Sequence, residues 1–194
     1  MLKIGLTGNI GSGKTLIAKI FSTFGAAVFN SDDEAKLIMK EERVQKLLIE
    51  RFGSHILNEE NIIDRKLLAQ LLFNDKDALN FVNNLIHPLV RLNFKDFCIK
   101  HANAPCCIYE AAIIIETGYY KNLDRVILVT APEKLRIQRI VDRDKINEAL
   151  VKQRMENQWS EDEKIPFADF IIVNDGSKPL VKQCVDVFNK ICAE

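Results

Sequence analysis

Long apolar runs, paired cysteines and a surplus of charge are all missing from this sequence, and each absence removes a class of protein. No stretch reaches the roughly 18 apolar residues that a membrane-spanning helix needs. No charged-then-apolar leader with a small-residue cleavage site opens the sequence, so neither membrane insertion nor export is expected. Lys+Arg and Asp+Glu both number 27, a formal net charge of zero, and no broad basic face for a nucleic-acid duplex is implied. The five cysteines (Cys98, Cys106, Cys107, Cys184 and Cys192) are odd in number and form no C-x-x-C pair. That argues against a disulfide scaffold or a zinc ribbon. Cys98 and His101 have ligand-like spacing near Cys106 and Cys107, but free cysteines are more often small buried hydrophobes. The expectation is a soluble, cytoplasmic protein. Its 194 residues make one domain, or one core domain with insertions, able to bury a core unaided.

What is present is concentrated at the start. The apolar run of Leu2, Ile4 and Leu6 leads into Gly8-Asn9-Ile10-Gly11-Ser12-Gly13-Lys14-Thr15, a G-x-x-x-x-G-K-[ST] phosphate-binding loop at every fixed position. Glycines let the backbone turn so that successive N–H groups face a phosphate. The following helix adds the positive end of its dipole. Lys14 can reach the β- and γ-phosphates of a nucleoside triphosphate, and Thr15 can offer its hydroxyl to Mg²⁺. The context fits as well. Ile17, Ile20, Phe21 and Phe24 have helical spacing, and Gly25 stands where a terminating glycine belongs.

Ala26-Ala27-Val28-Phe29 reads as a second strand, stopped by Asn30-Ser31-Asp32-Asp33. Ligands of open α/β sheets bind beyond the carboxyl ends of strands, so Asp32 can be a base or metal partner. It can equally be a helix cap, a part Asp33 fills just as well. Residues 34–104 read as helices broken at Gly53, at Asn58 to Asn61, near Asn74-Asp75 and at His87-Pro88. So much helix between two strands exceeds an ordinary crossover and points to an inserted subdomain holding a second substrate. His87, alone before a proline, is a capping or core residue or a substrate contact. Pro105 to Ile115 is a nearly continuous apolar run, carrying Tyr109-Glu110 and ending at Glu116. It suits a strand buried on both faces. Arg125–Thr130 and Phe170–Val173 are further strands, and a last amphipathic helix starts near Pro179. The pattern predicts an α/β fold with a five-stranded parallel sheet.

Residues 133–164 hold eight basic and eight acidic residues, a solvated, ion-paired face on one reading. On the other, Arg139 and Arg143 lie four apart on one helix face. They can form a flap that answers the charge building up in phosphoryl transfer. A switch GTPase is excluded, because none of the eight glycines follows an aspartate by three positions and the only Asn-Lys pair continues Ile191-Cys192. A large motor or transporter ATPase is disfavoured by size, and the Val126–Val129 strand ends in threonine rather than a metal-binding aspartate. A small phosphate-loop kinase remains.

At this point the chain resembles dephospho-coenzyme A kinases over almost its whole length. IGLTGNIGSGKT resembles the family's IGLTGGIGSGKS/T, and Asn30-Ser31-Asp32 stands at its Asp-x-Asp. Phe52-Gly53, Asp64-Arg65, Ile86-His87-Pro88, Ala112 to Glu116, Arg139, Arg143-Asp144, Arg154 to Gln158, Ala168-Asp169 and Asn174-Asp175-Gly176 follow in the family's order. The resemblance implies a three-layer P-loop core at about 1–31, 105–132 and 165–194. It also implies a helical acceptor subdomain at about 32–104 and a lid at about 133–164. The activity implied is Mg²⁺-dependent transfer of the ATP γ-phosphoryl to the ribose 3′-hydroxyl of dephospho-coenzyme A. Gly11 to Leu16 would cradle the ATP phosphates, Asp32 would orient and deprotonate the hydroxyl, and Arg139 and Arg143 would close over the phosphates. Asn174 would lie near the adenine, and Arg65 and His87 would shape the acceptor pocket. Asn30 replaces an aspartate of the family's pattern and Ala112 a proline. A nucleoside or nucleotide kinase, or a non-catalytic ATP-binding regulator, is the alternative.

Overall fold

The computed structural model describes residues 1–193, apart from the side chain of Arg65. It contains two compact units, Met1–Asn30 with Phe97–Glu194, and Ser31–Asp96.

The first unit carries the sheet. Strands β1 (Leu2–Thr7), β2 (Ala27–Asn30), β3 (Cys106–Glu110), β4 (Arg125–Thr130) and β5 (Phe170–Val173) are all parallel, in the order β2-β3-β1-β4-β5. The expected five-stranded parallel sheet is therefore present. Because β1 lies in the middle, side chains alternate between two buried faces. Ile4 and Leu6 face one side, where Ile108, Ile127, Val129 and Ile172 complete an apolar layer. Helices α1 (Lys14–Thr23) and α9 (Leu180–Cys192) cover that layer through Ile17, Phe21, Cys184, Val187 and Ile191. Phe21, Phe24 and Phe188 close it with ring centroids 5.3 to 6.2 Å apart. On the other face Phe29, Tyr109, Phe97 and Tyr119 make a continuous aromatic contact. Helix α1 ends as the sequence suggests. Gly25 has φ +93°, its N–H donates to Ser22, and that of Ala26 donates to Phe21, a Schellman motif.

The Pro105–Ile115 run does not remain a strand. β3 stops at Glu110, and the Ala111 N–H makes the last bond, to the Leu6 carbonyl at 3.1 Å. Beyond that point the β1 backbone turns into the phosphate loop, and contact passes to the Thr7 hydroxyl, which donates to the Ala112 carbonyl at 3.2 Å. The chain instead satisfies its backbone locally, with Thr117 donating to Ile113 and Gly118 to Ile115. Ile114 and Ile115 stay buried, now in a turn.

The second unit is helical: α2 (Ser31–Ile38), α3 (Glu42–Phe52), α4 (Arg65–Asn74) and most of α5 (Lys76–Lys100). Gly53 ends α3 at φ +64°, and Asp64 caps α4 by accepting from Lys66 and Leu67. Asp75 caps α5, accepting from Asp77 at 2.8 Å and Ala78 at 3.0 Å. The break expected at His87-Pro88 is absent, and α5 runs through Pro88. A mid-helix proline forfeits one backbone bond and costs about 3 kcal/mol in isolation. Val82, Ile86, Val90 and Phe94, four apart and all buried, anchor α5 on both sides of it. Two such side chains recover as much, at about 1.5–3 kcal/mol each. No helix of the described residues is long and apolar enough to cross a membrane.

Candidate active site

The phosphate loop fills the step from β1 to α1. Gly11 (φ +81°) and Gly13 (φ +96°) adopt conformations that side chains resist. Space excludes side chains too, since a Cβ on Gly11 would lie 2.6 Å from the Arg136 carbonyl and one on Gly13 would collide with the Asn174 amide. Gly13 caps α1 without a side-chain hydrogen bond, and the first turn carries no acid. The helix thus presents its positive end with no acid in the first turn to offset it, an arrangement that favours an anion. Lys14 donates from Nζ to the Gly8 carbonyl at 2.7 Å, so its ammonium lies along the loop. Leu16, in the same turn, is exposed.

Three segments remote in sequence grip this loop. From α6 (Glu133–Asp144), Arg139 donates to the Gly11 carbonyl at 3.3 Å and to the Asn174 carbonyl at 3.0 Å. From the end of β5, Asn174 donates through Nδ2 to the Ser12 carbonyl at 2.7 Å. Past α7 (Glu148–Met155), Gln158 accepts from the Ile10 N–H at 2.8 Å, and the Trp159 carbonyl accepts from Asn9 Nδ2 at 2.9 Å. Ile10 also packs against the apolar cluster of Ile137, Ile140 and Val151.

The segment expected as a lid is thereby anchored at both ends. Arg136, only 6 % exposed, donates to the Ala131 carbonyl at 2.9 Å and pairs with Glu161 at 3.4 Å. Burial pushes the Glu161 carboxyl above its ordinary value, against the Ala131 N–H and Arg136. Lys164, at the end of α8 (Glu161–Lys164), is fully buried and pairs with Glu116 at 2.8 Å. Burial pulls its pKa down, opposed by that carboxylate. A cavity of about 510 Å³ lies alongside, but Glu133, Glu161, Asp162 and Glu163 line it against Arg136 alone. So acidic a lining does not suit a triphosphate, whereas the α1 terminus is of a kind that favours an anion.

Arg143 does not join Arg139. Its side chain is 65 % exposed and bonds to Asp144 at 2.7 Å, and Arg154 reaches the same carboxylate at 3.0 Å. The two arginines hold the Asp144 carboxyl below its usual range, Arg143 most strongly. Asp32 is exposed and lies inside the first turn of α2, because that helix starts at Ser31 and β2 runs directly into it. It is therefore no N-cap, and Asp33 instead pairs with Lys36 at 2.7 Å. His87 is half-buried within α5, its pKa lowered by burial and then by Arg91. The Arg65 side chain lies outside the described residues.

One site residue escaped the sequence reading. Glu110, 5 % exposed, accepts from the Thr15 hydroxyl at 2.7 Å through Oε1 and from Asn30 Nδ2 at 3.2 Å through Oε2. No cluster of three or more His, Cys, Asp or Glu that could hold a metal ion occurs among the described residues. A hydroxyl and one carboxylate are nevertheless the hard oxygen donors with which Mg²⁺, sharing phosphates and water, is compatible.

A family model described as dephospho-CoA kinase matches residues 2–179. The chain belongs to the dephospho-CoA kinase family. A dephospho-CoA kinase of Bacteroides fragilis is 34% identical over 187 residues, covering 96% of this chain and 91% of its own. Among solved structures, a Thermus thermophilus protein superposes with a TM-score of 0.87 at 28% identity, covering 97% of this chain and 96% of its own. The dephospho-CoA kinase of Campylobacter jejuni gives 0.63 at 28% identity, with 99% and 98% covered. The loop Gly8–Thr15, Arg139 and Asn174 meet around one helix terminus.

Proposed function

We propose that this chain transfers the γ-phosphoryl group of ATP to the ribose 3′-hydroxyl of dephospho-coenzyme A, giving coenzyme A and ADP, in the cytoplasm. The observation that carries this reading is the family match over residues 2–179 joined to a phosphate loop that opens α1 at Gly13, an N-cap with no side-chain hydrogen bond.

The chain's own groups divide the work. Backbone N–H groups of Gly11 to Leu16, with Gly8, Asn9 and Ile10 shaping the turn, bind the ATP phosphates. Lys14 exchanges its Gly8 carbonyl for the β- and γ-phosphate oxygens. Thr15 supplies the hydroxyl oxygen that holds Mg²⁺, and Mg²⁺, when bound, offsets the charge on those phosphates. Arg139 meets the charge that develops during transfer, and Arg143 joins it by exchanging Asp144 for phosphate. Asn174 borders the adenine. Residues 32–104 hold the acceptor, with Arg65 and His87 in its pocket, and residues 133–164 act as the lid.

Asp32 takes the proton of the attacking hydroxyl. In a loose transition state that proton leaves late, so a weak carboxylate base suffices when it is well aimed. Exposure in the first turn of α2, two residues beyond the end of β2, leaves it available for this.

Incubation with Mg-ATP and a panel of dephospho-coenzyme A, nucleosides and nucleoside monophosphates, read as ADP release, tests the reading. Release with dephospho-coenzyme A alone supports it. Release only with another acceptor points to a nucleoside or nucleotide kinase, and release with none to a non-catalytic ATP binder.

A further inference from the structure

Glu110 is a buried acid whose two hydrogen-bond donors, the Thr15 hydroxyl and the Asn30 amide, are both neutral. Burying a carboxylate costs several kcal/mol even after relaxation, and hydrogen bonds to a charged group return only about 1.5–3 kcal/mol each. Stability alone would favour an amide or an apolar side chain at this strand end.

The geometry shows what the charge can do. Register places Glu110 level with Leu6 on one side and with Asn30 on the other. The Thr15 proton is committed to Oε1, so the lone pairs of that hydroxyl are left for a cation. A hydroxyl donating to a carboxylate is also the more basic ligand. Asn30 holds the second oxygen. A carboxylate at position 30 would face that of Glu110 across the same 3.2 Å contact with no N–H to donate, so the bond that orients Oε2 would be lost and two acceptors would oppose each other.

We propose that Asn30 and Glu110 form one positioning unit that keeps a single, oriented negative charge behind Thr15 and so sets how strongly Mg²⁺ tightens ATP binding. It rests on the ATP-binding part of the reading above and not on the identity of the acceptor. Neither residue is assigned contact with ATP. They act through Thr15, and the apparently conservative change Asn30→Asp is therefore harmful.

The test is calorimetric binding of ATP to the whole chain without acceptor, in excess Mg²⁺ and in EDTA. In the unaltered chain Mg²⁺ tightens ATP binding about tenfold or more, about 1.4 kcal/mol. Glu110→Gln reduces this tightening to about twofold or less while leaving affinity in EDTA nearly unchanged. Asn30→Asp also loses most of it. The double variant Asn30→Asp/Glu110→Gln, which moves the charge across the pair and keeps the hydrogen bond, regains most of it. A purely structural pair would move both affinities together. Should Glu110→Gln not fold, the double variant against Asn30→Asp still decides. Full tightening in Glu110→Gln, or a double variant no better than Asn30→Asp, overturns the proposal. A chain that binds no ATP overturns it together with the nucleotide reading, whereas one that shows this pattern but spares dephospho-coenzyme A overturns only the kinase assignment.

Discussion

Arg139 donates to the Asn174 carbonyl at 3.0 Å, while the Asn174 amide donates to the Ser12 carbonyl at 2.7 Å. One arginine and one asparagine thus fasten α6 and the end of β5 to the same phosphate loop. Neither bond lies in the apolar core, so their loss bears on the site more than on the fold.

Arg139→Ala is expected to lower kcat/KM for ATP about 100-fold, with a small change in Tm. Arg139→Lys restores little, because a point ammonium cannot span two acceptors as the planar guanidinium does. Steady-state kinetics with thermal melts on the same samples check this. Arg143→Ala is a sharper case. Its exposed pair with Asp144 is worth less than about 1 kcal/mol, so stability should barely move. A fall in kcat of about tenfold or more is expected if the guanidinium leaves Asp144 for phosphate in turnover, and an unchanged kcat removes it from the catalytic set.

Lys164 and Glu116 make a buried ion pair at 2.8 Å. Lys164→Met leaves the Glu116 carboxylate without a cation and is expected to cost about 3 kcal/mol or more in chemical denaturation. Adding Glu116→Leu should return most of that loss, since the remaining side chains are apolar. A double variant as unstable as the single one would show that the pair is not what holds this end of the segment.

His87 gives the helical unit a predictable response to acid. Its folded pKa lies below the ordinary 6.5, through burial first and Arg91 second. Below pH 6.5 the unfolded chain therefore takes up a proton that the folded chain refuses. The stability this neutral ring contributes is complete above that pH and is lost as pH falls toward the folded value. Melting followed from about pH 7.5 to about pH 5 should show a steeper loss for the unaltered chain than for His87→Gln. Parallel curves would contradict this.

The Gly8–Thr15 loop was readable in the sequence because its geometry is dictated locally, by glycines, one lysine and the helix that follows. Glu110 was not readable. It sits in an apolar run that looks like strand through Ile115, and only the pairing of β3 with β1 and β2 shows that the sheet stops beside Thr15. Pro88 was misread for the opposite reason, since a local helix-breaking preference yielded to burial of Ile86, Val90 and Phe94 around it. The even charge balance of residues 133–164 hid Arg136 and Lys164, both buried by partners that composition cannot pair.

Asp32 is exposed and lies within a helix turn it does not cap. Asp32→Asn keeps the shape and removes the basic oxygen, so kcat should fall by about 10²–10⁴ while the ATP dissociation constant changes less than about twofold. Rapid-quench kinetics with equilibrium ATP binding check both halves. Turnover at the unaltered rate would remove Asp32 from the chemistry.

The most direct measurement is the position of the transferred phosphate. The chain is incubated with Mg-ATP and dephospho-coenzyme A, and the product is examined by phosphorus NMR and mass spectrometry. A single phosphomonoester on the ribose 3′-hydroxyl, in a product indistinguishable from coenzyme A, is the expected result. No transfer, or transfer to any other hydroxyl, would contradict it.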